Sequence, residues 1–217
     1  MNFEQIMGEF RRRADDRAAP FLWEDPTILL YANEAEKEAA ERANLLLDRA
    51  TPSVCQVALV AGTREYVLDA RVIDVVSARV RGQRHDMDRR GDVEVLSCYH
   101  APGVSWMFAT YDVGSAVHLV LDREPKDDGF LDLAVYRRPL NAMVELDDEP
   151  EINSGRHMEL LHWMLYLAFD SRDSDADDKA KAQTNFDRFE LAFGAKIDAN
   201  VKRKQLRHRP PVTRPEY

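Results

Sequence analysis

The apolar period of the chain changes twice, and nothing else in the sequence restricts the fold as much. Phe3, Ile6, Met7 and Phe10 are spaced as on one face of a helix, which predicts an amphipathic helix from Phe3 to about Asp16. After AAPFLW, Asp25-Pro26 reads as a side-chain N-cap followed by a first-turn proline. The helix it opens, roughly Pro26 to Asp48, aligns Ile28, Ala32, Ala35, Ala39, Ala43 and Leu46 opposite the charged Glu34, Glu36, Lys37, Glu38 and Glu41. A stripe of alanines lets a second helix approach closely. Thr51-Pro52 is expected to stop the helix.

From Val54 to about Val144 the pattern shortens. VCQVALV, YVL, VIDVVSARV, SWMFATYD, AVHLVL and FLDLAVYR are β-branched and aromatic runs bounded by Ala-Gly-Thr, Arg-Gly-Gln, Val-Gly-Ser and Asp-Asp-Gly. They predict about six strands, mostly antiparallel because most joins are too short for crossovers. Gln83 to Val104 is the least regular stretch, and its DMDRRGDV is polar enough to lie outside.

Helical spacing returns beyond an acidic linker, LDDEPEIN. Met158, Leu161, Leu165 and Ala168 mark a face from about Ser154 to Asp170, with Trp163 and Tyr166 covering neighbouring elements. Ser174 reads as the N-cap of a last helix that presents Ala182, Phe186, Phe189 and Phe193 before Gly194 ends it. Each end supplies about two helices, and an isolated helical pair buries too little to be stable. The expected fold class is therefore α+β: a helical bundle formed by the N- and C-terminal helix pairs, with an inserted, mostly antiparallel β-rich lobe. The expected segments are 1–50, the lobe 51–150, 151–201, and a basic extended tail at 202–217.

Composition narrows the function. With 217 residues, 45% of them hydrophobic, the chain can bury a substantial core. The amphipathic, charged start has no apolar run of the length that signal peptides and membrane spans need, which predicts synthesis in the cytosol and no membrane partner. Cys55 and Cys98 are too sparse for a disulfide framework and are expected to be reduced core residues. Charge is segregated. Residues 202–217, KRKQLRHRPPVTRPEY, carry +5, so a chain of net −9 leaves −14 on the rest. An acidic body argues against general nucleic-acid binding, which draws on a basic face. The tail itself is a solvated arm or one that orders on a partner.

Candidate chemistry is weak. DSRDSDADD, residues 170–178, repeats carboxylates as calcium loops do, but counting from Asp173 the sixth place is Asp178, not Gly, and the twelfth is Thr184, not Glu. In HMELLH, His157 and His162 stand five residues apart and so roughly 140° around a helix, a spacing that does not aim both at one metal. Neither a cofactor nor a metal is expected. With 39 Asp and Glu, carboxylate pairs at separations suited to glycoside hydrolysis are plentiful by number alone, and abundance is not evidence for that chemistry.

Read in order, WEDPTILLYANEAEKEAAERANLLLD, TPSVCQVALVAGTREYVLDARVIDV, LAVYRRPL, DDEPEI, HMELLHWMLYLAFDSRDSDADDKAKA and FELAFGAKIDANVKRKQLRHRPPVTRPEY resemble a family of phage head-to-tail adaptor (connector) proteins, of the kind found in short-tailed phages. The resemblance covers almost the whole chain. Two stretches depart from the pattern: Pro26-Thr27, where more polar helix-start residues are usual, and Asn153-Ser154-Gly155, which replaces what is often a proline-containing turn.

The resemblance implies a structural virion protein at the head-tail junction, not an enzyme; the alternative in the same setting is a virion-associated peptidoglycan hydrolase using paired carboxylates. Copies would form a homo-oligomeric ring, typically of twelve, between the portal protein and the tail nozzle or tail-tube protein, with DNA passing through without specific binding. On this reading Arg203, Arg207, Arg209 and Arg214 pair with portal carboxylates, Pro210 and Pro211 hold the arm extended, and Tyr217 anchors its end. The acidic excess would repel DNA phosphate, with Glu34, Glu38 and Glu41 as candidate lumen-facing acids.

Overall fold

The computed structural model describes residues 1–91, 101–114, 116–170 and 178–196. The tail 202–217, Cys98, Ser174 and nearly all of the acidic stretch 170–178 lie outside them. Among the described residues the chain is mixed α and β, with five α-helices and two mostly antiparallel sheets. The described residues divide into two compact units: Met1–Leu46 with Arg137–Lys196, and Leu47–Tyr136.

Four helices build the first unit: α1 (Phe3–Ala14), α2 (Asp25–Ala43), α4 (His157–Phe169) and α5 (Lys179–Phe193). One core joins Phe3, Ile6 and Phe10 of α1, Ile28, Ala32, Ala35 and Ala39 of α2, Leu160, Leu161, Met164, Leu165 and Ala168 of α4, and Phe189 and Phe193 of α5. Asn2 starts α1 with a reciprocal capping box to Gln5. Trp23 closes one end of the core, meeting Phe10 and Phe169 edge-on at centroid distances of 5.7 and 6.1 Å.

Several boundaries and faces differ from the sequence-based expectation. Asp25 does not cap α2; the cap position is Glu24, without a side-chain hydrogen bond, and Asp25 is the first helical residue. Its carboxylate is drawn instead to Arg11, 2.6 Å away, whose guanidinium also holds Asp16 at 2.7 Å. The helix ends at Ala43, not near Asp48, because Asn44 turns left-handed (φ 50°), and Pro52 begins the short helix α3 (Pro52–Cys55). On α4, Met158 is exposed, while Leu160 and Met164 take core positions. Asp178, not Ser174, caps α5 through its bond from the Lys181 N–H at 3.1 Å. Phe186 is only half-buried, and Asn185 lies inside.

The connection from Arg138 to Asn153 is more than a solvated linker. The Phe3 and Glu4 N–H groups donate to the Asp148 and Leu146 carbonyls at 2.8 and 2.9 Å, satisfying donors that a helix start leaves open. Asn33 clasps the Met143 backbone in both directions, at 3.0 and 2.8 Å, and Ile152 joins the core.

The alanine stripe of α2 has a clear role. Ala32, Ala35 and Ala39 are fully enclosed where α2 packs on α4. Replacing Ala35 with Leu forces three extra carbons and a branch into filled space; thermal unfolding of Ala35→Leu is expected to show a loss of about 1–3 kcal/mol. An unchanged Tm would mean that α2 and α4 are not closely packed there.

The second unit holds eight strands among the described residues: β1 (Leu47–Asp48), β2 (Gln56–Leu59), β3 (Glu65–Val67), β4 (Val72–Val80), β5 (Asp88–Arg89), β6 (Met107–Val113), β7 (Ala116–Leu121) and β8 (Gly129–Arg137), with only the last residue of β8 falling in the first unit. One sheet runs β1-β8-β2, with β4 also on β8; the other runs β3-β7-β6-β5. All six expected strands are present, and β5 and β6 pair in parallel. Alternation places Leu131, Leu133 and Val135 of β8 inward, while Phe130 stays half-exposed under the Arg81 guanidinium, 4.7 Å from its ring centroid. Gly114, at φ 61°, makes the tight β6-β7 return.

Part of DMDRRGDV lies inside, against expectation. Met87 is buried, its N–H donating to Ala78 O, and Arg89 reaches Asp74 at 2.6 Å and Thr110 Oγ1 at 2.9 Å. Hydropathy alone misses this, because the polar run is stitched in through a backbone bond and a charge pair. Cys55 is a buried core residue, as expected, with its Sγ 3.4 Å from Asp48 Oδ1.

Candidate functional site

The most constructed polar site in the first unit surrounds the point where the chain leaves α5. The sequence seeds it with Glu38 and Arg42, four apart on α2, and with Trp163, Phe186 and Phe189 on the two later helices. Packing of α4 on α5 brings Trp163 to 4.9 Å from Phe189 and 6.1 Å from Phe186. The Arg42 guanidinium enters that aromatic cluster, 5.0, 5.4 and 5.3 Å from the Trp163, Phe186 and Phe189 centroids.

With its side chain 4% exposed, Arg42 needs partners, and it has them. Its Nε donates to Glu38 at 2.8 Å, and its Nη1 to Glu190 and to the Gly194 carbonyl, both at 3.4 Å. Gly194 adopts φ 86° with an extended ψ, a conformation suited to glycine, and so ends α5 with its carbonyl turned toward α2. Two residues on, Lys196 reaches Glu38 at 3.1 Å and Glu41 at 3.6 Å. Arg138 completes the cluster by donating to Glu41 at 2.6 Å. Burial alone would raise the Glu41 pKa, but the Arg138 hydrogen bond and the charges of Arg138, Lys196 and Lys37 hold it below the usual carboxylate range. The arrangement can do one mechanical thing: it ties the segment that follows α5, at Gly194 and Lys196, to α2.

The sequence-predicted residues fall unevenly on this picture. The tail residues Arg203, Arg207, Arg209, Pro210, Pro211, Arg214 and Tyr217 lie outside the described residues. Of the candidate acids, Glu38 and Glu41 are committed to Arg42, Lys196 and Arg138, while exposed Glu34 faces Lys37 at 3.4 Å. Sequence reading missed Arg42, Arg138 and Lys196. Only the Glu38-Arg42 spacing could have pointed to them, and such spacing is common on solvated helices.

Chemistry finds less support. His157 is buried and bonded to Ile152 O at 2.9 Å and to the chain start, whereas His162 meets Asn185 at 3.2 Å. The described residues contain no cluster of three or more His, Cys, Asp or Glu able to hold a metal. Glu36 is the carboxylate among them whose pKa is raised: burial pushes it up to about 7, against the Ile152 and Glu151 N–H groups, which favour its charged form. It sits 1% exposed in the helical core, out of reach of a substrate. No described helix is long and apolar enough to cross a membrane.

No curated protein matches the chain. The model of one family, described as SU10 adaptor protein, matches residues 1–215, and its members are structural virion proteins of phages. With a match from the first helix through the basic tail, the chain belongs to the SU10 adaptor family of phage head-to-tail adaptor proteins.

Proposed function

We propose that the chain is a ring subunit at the head-tail junction, joining the portal protein to the tail or nozzle and lining the DNA passage, with twelve copies per ring. Family membership over residues 1–215 is the observation that carries this reading. The helix pairs at the two ends act as one bundle and the β segment as a lobe inserted between them, a reading supported by the core that Phe3, Ile28, Leu161 and Phe189 share. Function is then assembly. The chain is made in the host cytoplasm and reaches the virion by docking.

The basic tail is the docking strap. Its Arg203, Arg207, Arg209 and Arg214 pair with portal carboxylates, Pro210 and Pro211 keep it extended, and Tyr217 anchors its end. An arm that orders only on its partner defers its entropy cost until assembly. The Arg42 cluster supports this reading because it holds the root of the arm at Gly194 and Lys196. Glu34, Glu38 and Glu41 are offset by neighbouring cations, so repulsion of DNA in the passage falls mainly to the wider acidic excess.

Deleting residues 202–217 is expected to leave thermal unfolding unchanged and to abolish capture by the portal complex in sedimentation and electron microscopy. Undiminished capture would overturn the strap, and leave family membership standing.

A further inference from the structure

Two patches on the helical unit set exposed apolar side chains beside charged ones, some of which have no charged partner among the described residues. The first is an open groove of ≈ 590 Å³ between the start of α4 and the end of α5, lined by Arg156, Glu159, His162, Arg188 and Leu191. Leu191 is 89% exposed there. Arg156 is held in place by donating to Ala192 O at 2.8 Å and lying 5.7 Å from the Phe193 centroid. Arg188 is exposed and has no carboxylate partner among the described residues. The groove therefore offers two guanidiniums beside a bare branched side chain. Its one acid, Glu159, faces His162 at 3.6 Å.

The second patch is the loop 144–149, seated on the start of α1. Asp148 turns inward and accepts from the Val144 and Glu145 N–H groups at 2.7 and 2.9 Å, which folds the loop outward as a knob. Val144 and Leu146 are then 68% and 50% exposed, among the exposed carboxylates Glu145, Asp147 and Glu149. Glu145 and Asp147 have no cationic partner among the described residues, and Glu149 has only the terminal ammonium at 4.0 Å.

The patches match in kind, acid with apolar against base with apolar, yet they do not serve each other within one subunit. Helix α4 packs against α5 and against α1 and α2, whereas α1 and α5 make no extensive contact. The groove sits on the α5 flank and the knob on the α1 flank, at the helix ends gathered around His157 and Met1. A cyclic assembly of more than two copies needs two different complementary surfaces of this kind on every subunit.

We propose that the loop 144–149 of one copy seats in the Arg156–Arg188–Leu191 groove of the next, so that Asp147 and Glu145 meet the two guanidiniums and Leu146 covers Leu191. This contact rests on the ring reading and gives that reading its neighbour-to-neighbour surface. Charged pairs at a rim set partner choice and orientation, and an apolar pair at the centre excludes water.

The test uses the full chain, with self-association followed by sedimentation velocity and rings counted by electron microscopy, with and without the portal complex. Arg188→Glu and Asp147→Arg should each weaken assembly ~10-fold or more, while the double variant, with the pair inverted, should recover most of it. Leu191→Asp should also disrupt assembly. All three sites are exposed, and unchanged circular dichroism and Tm check that each variant folds. Assembly of both single charge variants at wild-type level, or no recovery in the double variant, overturns the contact. Wild-type chain that never forms rings, alone or on portal, overturns the ring reading and the contact together.

Discussion

Replacing Arg42 with alanine is expected to lower stability by about 3–5 kcal/mol, the cost of removing one partner from a buried ion pair. Glu38 would keep Lys196, but Glu190 and the Gly194 carbonyl would lose their donor, and the cluster of Trp163, Phe186 and Phe189 would lose the cation it surrounds. For a chain of this size, 1 kcal/mol moves Tm by roughly 2–4 °C, so a fall of about 6–20 °C is expected. Arg42→Lys separates charge from shape. A lysine keeps the cation yet cannot bridge Glu38, Glu190 and a carbonyl as a planar fork, so it should recover less than half of the loss. Arg42→Ala unfolding at the wild-type temperature would show that the cluster is solvated decoration.

Stability of the helical unit should fall as pH rises from about 4.5 to 7, and Glu36 is the reason. Its carboxyl is pushed up to about 7 in the fold, from 4.5 in the open chain. Across that window the unfolded chain releases the proton while the folded chain keeps it. The folded state is therefore favoured at lower pH and loses that advantage as pH passes through 7. The full effect is about 3 kcal/mol. Glu36→Gln retains an acceptor for the Ile152 N–H, 3.2 Å from Glu36, and removes the charge. It should match the wild type near pH 5 and exceed it at pH 8 in urea unfolding. Glu151, which raises the Glu36 pKa, and Arg137, which lowers it, stay the same in both proteins, so the difference isolates Glu36. Carboxylates held low, such as Glu9 at about 2, act only in more acidic solution. Parallel pH curves for the two proteins would show that Glu36 is ionised in the fold at neutral pH.

Elements with a strong period were legible. The faces Phe3-Ile6-Phe10 and Ile28-Ala32-Ala35-Ala39 are buried as their spacing predicts, and so are Phe189 and Phe193. The six β-branched runs became strands for the same reason, since burial on one face imposes the period. Helix ends were less legible. Asp25 looked like a cap until Arg11, fourteen residues earlier, claimed its carboxylate.

The sequence alone therefore determined the mixed α and β class, the apolar faces, and, through its ordered resemblance, the adaptor family. Each of those is written locally, in spacing or in order along the chain. Only the tertiary structure decided that Arg42 is enclosed by aromatic rings, that Glu36 is a core carboxyl, and that Lys196 ties the root of the tail to α2. These depend on partners 116 to 158 residues away, and the free energy of burying a charge is set by what surrounds it, which no local pattern encodes.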